Sequence, residues 1–155
     1  MNPEEKFLKS SNNVRLTILA SLSLFLLTFL AYFKTLAPGV YGFDSAEFAT
    51  GVFTQGVIHP PGFPLYLLIG KLFTYLPFRD VAYRLNLMSA VFASVTVVIL
   101  YFVIKNIIKA PFAAWVSALL FAFSNYFWQM ALVAEVYTPF TAFLAGDLLI
   151  LGLWQ

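Results

Sequence analysis

An all-α membrane protein with about four transmembrane helices is the fold class that three features of this sequence predict. Hydrophobic residues make up 61% of the 155 and charged residues only 10%, against roughly 25% charged in a soluble domain, and the mean hydropathy is +0.86. The apolar residues gather into runs long enough to cross a bilayer, bracketed by single charges. Ionisable and rigid residues collect instead in one segment, 43–64, between the first two long runs.

Residues 1–15, with Lys6, Lys9 and Arg15, read as a cytoplasmic N-terminal tail, and 16–155 as a membrane domain. The first span is 16–33, about 18 uncharged residues between Arg15 and Lys34, close to the ~20 that cross ~30 Å of hydrocarbon. It exceeds the ~7 to 15 apolar residues of a signal-peptide core, and no small-x-small cleavage pattern precedes Pro38, so a retained anchor is expected. An external loop, 34–84, follows. Within it 65–78 is apolar, opens after Pro64, holds Gly70 and Lys71 and stops at Pro77. At ~1.5 Å per residue it reaches only about 21 Å, which predicts an interfacial or re-entrant helix. The remaining spans are 85–104, ended by Lys105 and Lys109; 112–134, whose last turns carry Asn125 and Gln129; and 137–154, with Asp147 in its middle. An inside N-terminus places Lys6, Lys9, Arg15, Lys105 and Lys109 on the cytoplasmic side and Lys34, Lys71, Arg79 and Arg84 outside, a narrow majority for the positive-inside rule.

Several function classes fall away. The net charge of +2 comes from nine basic and seven acidic residues scattered in ones and twos, so there is no basic stripe and no nucleic-acid partner is implied. The absence of cysteine excludes a disulfide framework, a thiol nucleophile and a thiolate metal site. His59, the single histidine, excludes a multi-histidine metal centre within the chain. No internal repeat or low-complexity tract is visible. The topology gathers Asp44, Glu47, His59, Lys71, Arg84 and Glu135 at the non-cytoplasmic face, where residues distant in sequence become neighbours.

Each candidate carries a structural and a chemical reading. Asp44 and Glu47 have the spacing of a capping box, with Phe43 and Phe48 as its hydrophobic staple. Two carboxylates three residues apart on a helix also suit a general base, a metal pair or the positioning of an acceptor hydroxyl. His59 precedes Pro60, which holds its backbone extended; it is either a loop corner or an imidazole aimed at substrate. Arg84 either anchors its span at the membrane surface or holds a phosphate, and Lys71 reads first as an interfacial anchor. Glu135, in Val133-Ala134-Glu135-Val136-Tyr137, is a carboxylate near membrane depth, which marks a site or an interhelical partner. Asp147 suggests helix–helix pairing, and Trp128 and Trp154 suggest belt aromatics.

These motifs together, Asp44-Ser-Ala-Glu-Phe, Gln55-Gly-Val-Ile-His-Pro-Pro-Gly-Phe-Pro-Leu-Tyr66, Gly70-Lys-Leu-Phe, Arg84-Leu-Asn-Leu-Met-Ser-Ala90, and Phe127-Trp128 with Ala134-Glu135-Val136-Tyr137, resemble the N-terminal part of the domain-of-unknown-function 2723 family. The resemblance runs from about Leu36 to Leu153. It implies a GT-C type glycosyltransferase, similar to protein O-mannosyltransferases, which moves a sugar such as mannose from a polyprenyl-phosphate donor to an acceptor hydroxyl on the non-cytoplasmic face, with inversion. Asp44 matches the acidic catalytic residue of the first external loop and Glu47 is the second choice. His59 and Arg84 would stabilise the departing lipid phosphate, with Glu135 and Lys71 completing the substrate-binding group. No cofactor is implied, and a divalent metal is compatible but not required. The implied partners are the lipid-linked sugar, a protein or lipid acceptor, membrane lipids and a further polypeptide completing the fold. Enzymes of this architecture have many more spans, so an N-terminal piece or a shortened homologue is expected, located in a bacterial cytoplasmic membrane, or in the endoplasmic reticulum if eukaryotic. The competing reading is a non-enzymatic membrane protein, either a transporter module using Glu135 and Asp147 or an assembly partner. The crowding of ionisable residues into the first loop favours a surface reaction site over a conduction path.

Overall fold

Helix is the only regular structure among the described residues of this computed structural model, which describes residues 3–42 and 44–154, with side chains described from Ser11 onward. In chain order the helices are α1 (Pro3–Thr35), α2 (Ser45–Thr54), α3 (Pro64–Thr74), α4 (Val81–Ile108), α5 (Pro111–Ala122), α6 (Asn125–Ala131) and α7 (Tyr137–Trp154). Three stretches, Ser11–Thr35, Val81–Ile108 and Tyr137–Trp154, are long and apolar enough to cross a membrane. The class expected from composition is therefore the class observed: an all-α membrane protein with shorter apolar helices between its long ones.

The boundaries follow local chemistry. α1 starts at Pro3, so residues 3–15 continue the same helix as the apolar run rather than forming a separate element. α4 starts at Val81, where the Asp80 carboxylate accepts the Tyr83 N–H at 2.8 Å, an ordinary N-cap. It ends where Lys109 turns left-handed before Pro111, and Pro111 in turn opens α5, where a missing N–H does no harm.

The single helix expected over 112–134 is not what forms. α5 stops at Ala122 and its 12 residues reach only about 18 Å at ~1.5 Å each, short of a bilayer's ~30 Å. The break has two causes. The Tyr32 hydroxyl of α1 donates to the Ala122 carbonyl at 2.8 Å, capturing an acceptor that a continuing helix would need. Ser124 then adopts an extended backbone as the N-cap of α6, its Oγ donating back to the Phe121 carbonyl, the competition with helix that serine offers.

α4 is the central post, with α1, α3, α5, α6 and α7 packed around it. Its Leu85, Met88, Ala90, Ala93 and Val97 are fully buried, and Ala114, Ala118 and Ala122 of α5 form a buried stripe at four-residue spacing. Small residues at that spacing allow the close helix approach that drives packing in lipid. The paired short helices α2 and α3 sit on the N-terminal half of α4 through Phe48, Val52, Tyr66, Leu67 and Leu85. Their contact is so close that a Cβ on Gly70 would lie 2.8 Å from the Val52 Cγ2 methyl. Packing α2 on α3 at this distance fixes where the α2 N-terminus, and the acidic residues on it, must lie.

Candidate active site

The turn entering α2 is held by main-chain and hydroxyl bonds. The buried Ser45 Oγ accepts the Tyr41 N–H at 3.0 Å, and Asn86 Nδ2 of α4 donates to the Ala37 and Gly39 carbonyls, each at 2.9 Å. Asp44 is the N-cap residue of α2, yet its side chain makes no capping hydrogen bond and is 57% exposed.

The capping box expected of Asp44 and Glu47 is therefore corrected. Glu47 does not fold back onto the Asp44 amide. Its Oε1 accepts the His59 backbone N–H at 2.7 Å and its Oε2 accepts His59 Nδ1–H at 2.8 Å. The Asp44 N–H instead donates to Glu135 Oε1 at 3.1 Å, across 91 positions of sequence. Two donors from one stiff residue, each bonding an ionised oxygen, outcompete a single amide for the Glu47 carboxylate. The Phe43 half of the proposed staple lies outside the described residues. Phe48 is buried against His59, Phe63 and Tyr66, with ring centroids at 5.9, 5.6 and 4.8 Å.

His59 is thus clamped by Glu47 on one ring nitrogen and faces Asp44 with the other, Nε2 to Oδ2 being 3.8 Å. Its bond to Glu47 raises its pKa, helped by the negative charges of Glu47, Asp44 and Glu135. The same hydrogen bonds from His59 hold Glu47 below the usual carboxylate range. The sign of the pH dependence follows. The Glu47 contribution is complete above its ordinary ~4.3 and disappears as pH falls through its lowered folded-state value. The His59 contribution is complete below its ordinary ~6.5 and disappears as pH rises through its raised value. The clamp is therefore tightest in mildly acid solution and persists toward neutrality. A nuclear magnetic resonance titration of His59 is expected to give a midpoint above ~6.5, falling back toward that value in Glu47→Gln; an unshifted midpoint in the parent protein would contradict the clamp.

Glu135, on the turn between α6 and α7, is only 4% exposed. Burial pushes its carboxyl upward, opposed chiefly by the Asp44 amide. Four of the six residues expected at the site, Asp44, Glu47, His59 and Glu135, are therefore brought together. The other two are placed elsewhere. Lys71 Nζ donates to the Phe53 carbonyl at 2.7 Å, at the end of α2 away from Asp44, and lies 5.6 Å over the Phe53 ring. Arg84 turns its guanidinium to the Thr74, Phe78 and Arg79 carbonyls, closing the α3–α4 connection. Asp147 is on an exposed face of α7. Among the described residues no three acidic or histidine side chains are disposed to hold a metal ion.

Two residues escaped the sequence reading. Tyr66 is 5% exposed with its hydroxyl unpartnered among the described residues; its signal was its place seven residues after His59 in the same rigid motif. Asn86 was visible as an amide inside an apolar run. Beside the cluster, α3, α4 and α7 border a half-open apolar cavity of about 220 Å³ lined by Phe63, Tyr66, Ile69, Met88, Val136 and Phe140 among others. Phe63 joins the two, its ring 5.5 Å from that of His59.

Residues 44–155 match the family described as protein O-mannosyl-transferase TMEM260 N-terminal domain, a stretch that holds Asp44, Glu47, His59 and Glu135. A similar curated protein, the protein O-mannosyl-transferase TMEM260 of Mus musculus, is 36% identical over 105 residues, 67% of this chain and 15% of that protein. The protein O-mannosyl-transferase tmem260 of Dictyostelium discoideum is 30% identical over 152 residues, 96% of this chain and 18% of that protein. The chain thus spans less than a fifth of the length of either relative. No solved structure matches it.

Proposed function

We propose a function from one premise: this chain belongs to the family of the protein O-mannosyl-transferase TMEM260 N-terminal domain. It is the acceptor-activating module of a GT-C type membrane glycosyltransferase, which moves mannose from a polyprenyl-phosphate donor to a protein hydroxyl on the non-cytoplasmic face. The relatives' names supply the reaction class, the sugar and the acceptor. The observation that carries the site is the Asp44 carboxylate, exposed, free of capping duty, and anchored through its backbone beside a histidine.

In the proposed step the acceptor oxygen bonds to the anomeric carbon from the face opposite the phosphate, and the bond from that carbon to the phosphate oxygen breaks. The hydroxyl proton passes to Asp44 as general base, and the electron pair leaves on the polyprenyl phosphate. His59, its Nδ1 held by Glu47 and its Nε2 turned toward Asp44, would in its protonated form offer Nε2–H to that developing charge and so lower the barrier. The apolar cavity adjoining Phe63 suits the first isoprene units of the donor. Arg84 and Lys71 have their donors turned to carbonyls and take no part in this scheme.

The experiment supplies the full polypeptide carrying this domain with labelled mannose, either on polyprenyl phosphate or on a nucleotide, and a peptide rich in serine and threonine. Label is expected on the peptide from the lipid donor alone, with the anomeric configuration inverted. Transfer from the nucleotide donor without lipid, or retention of configuration, would overturn the proposed chemistry.

A further inference from the structure

We infer that Glu135 is the positioning residue of this site: its buried carboxylate takes over the N-terminal capping bond of α2, which fixes Asp44 and leaves Glu47 free to hold His59. The inference rests on the reading of Asp44 as the base, and concerns a residue that touches neither donor nor acceptor.

A capping box would give the N-cap amide to the carboxylate three residues on. Here that amide, Asp44 N–H, is 3.1 Å from Glu135 Oε1, and Glu47 bonds His59 twice instead. One exchange of partners therefore links the two halves of the cluster. Were Glu135 removed, the Asp44 amide would lose this acceptor, and a capping box with Glu47 could form only at the expense of the bonds to His59.

The platform under Glu135 is rigid. Its neighbours Val133, Ala134 and Thr138 are buried. The turn that carries it is pinned at both ends, the Leu132 carbonyl accepting the Ala37 N–H at 3.2 Å and the Val136 carbonyl accepting the Phe140 N–H at 3.0 Å. The segment between α1 and α2 is thereby tied to α4 through Asn86 and to the α6–α7 turn through Leu132 and Glu135. Of these ties only the one from Glu135 ends on the residue whose carboxylate does the proposed chemistry. A carboxyl kept at 4% exposure is costly to maintain, and a bond that sets the position of a base by a fraction of an ångström is a use commensurate with that cost.

The test compares Glu135→Met, Glu135→Ala and Glu135→Gln in the full polypeptide, with rates expressed per molecule of folded, membrane-embedded protein. Met fills the same space but offers only a weakly accepting thioether, whereas Gln keeps an acceptor oxygen at the same reach. Glu135→Met and Glu135→Ala are expected to lower kcat by about tenfold or more with little change in donor KM, and Glu135→Gln to restore kcat to within about threefold of the parent. A raised donor KM at unchanged kcat would make Glu135 a substrate ligand and overturn the inference, as would Gln as impaired as Met. Hydrogen exchange gives a second readout: the Asp44 amide is expected to exchange slowly in the parent and in Glu135→Gln and faster in Glu135→Met. Equal exchange in all three would overturn the bond itself, even if Ala fails to accumulate. Failure of the underlying reading is separately visible, because Asp44→Asn would then leave transfer intact whatever the Glu135 variants do.

Discussion

Asp44→Asn is expected to lower mannose transfer by the full polypeptide at least a hundredfold while the protein accumulates in membranes as before. A positioned general base contributes about 10² to 10⁴ in rate, and the amide that replaces it cannot take the acceptor proton. The fold should hardly register the change. The Asp44 side chain makes no capping bond, the Glu135 bond is to the backbone N–H and survives substitution, and asparagine is as good as aspartate at a helix N-cap. Measured as transfer per membrane-embedded molecule, the loss should appear in kcat. Transfer within about twofold of the parent would remove Asp44 from the mechanism and leave Glu47, bound to His59, as the remaining carboxylate of segment 43–64.

Arg84→Ala is expected to act in the opposite way, on stability and not on donor affinity. The guanidinium satisfies the Thr74 carbonyl at the end of α3, where the environment is partly buried, and the Phe78 and Arg79 carbonyls, which water can reach. Because water replaces two of the three bonds, the net cost is about 1–3 kcal/mol rather than a sum of three charged hydrogen bonds. The expected readout is a lower thermal unfolding midpoint in detergent, with donor KM unchanged for the folded fraction. Arg84→Lys should recover only part of the midpoint, since one ammonium cannot reach three diverging carbonyls from a single position. An unchanged midpoint with a raised donor KM would return Arg84 to the phosphate.

The two substitutions separate residues that look equivalent in the sequence. Asp44 and Arg84 are both ionisable groups flanking a greasy segment, and both fit a site for a phosphate-bearing sugar donor. Only packing distinguishes them: one carboxylate is left facing solvent beside an imidazole, while one guanidinium is consumed by its own loop.

What the sequence determined by itself is what depends on short-range sums. Hydropathy over some twenty residues marked the stretches now seen as α1, α4 and α7. Pro64 and the short apolar run after it marked α3, and topology gathered Asp44, Glu47, His59 and Glu135 on one face together with Lys71 and Arg84, which the packing then separated from them. What it left to the tertiary structure is every case where one polar group had to choose among partners. The run 112–134 is apolar enough for one helix, but Tyr32 of α1 captures the Ala122 carbonyl and divides it. The Asp44–Glu47 pattern fits a capping box locally, but Glu135 arrives from 91 positions away and His59 from across a proline turn. Hydropathy and periodicity are properties of neighbours along the chain, whereas a hydrogen bond is decided within about 3 Å. Which donor comes that close to which acceptor is settled only when the helices have packed.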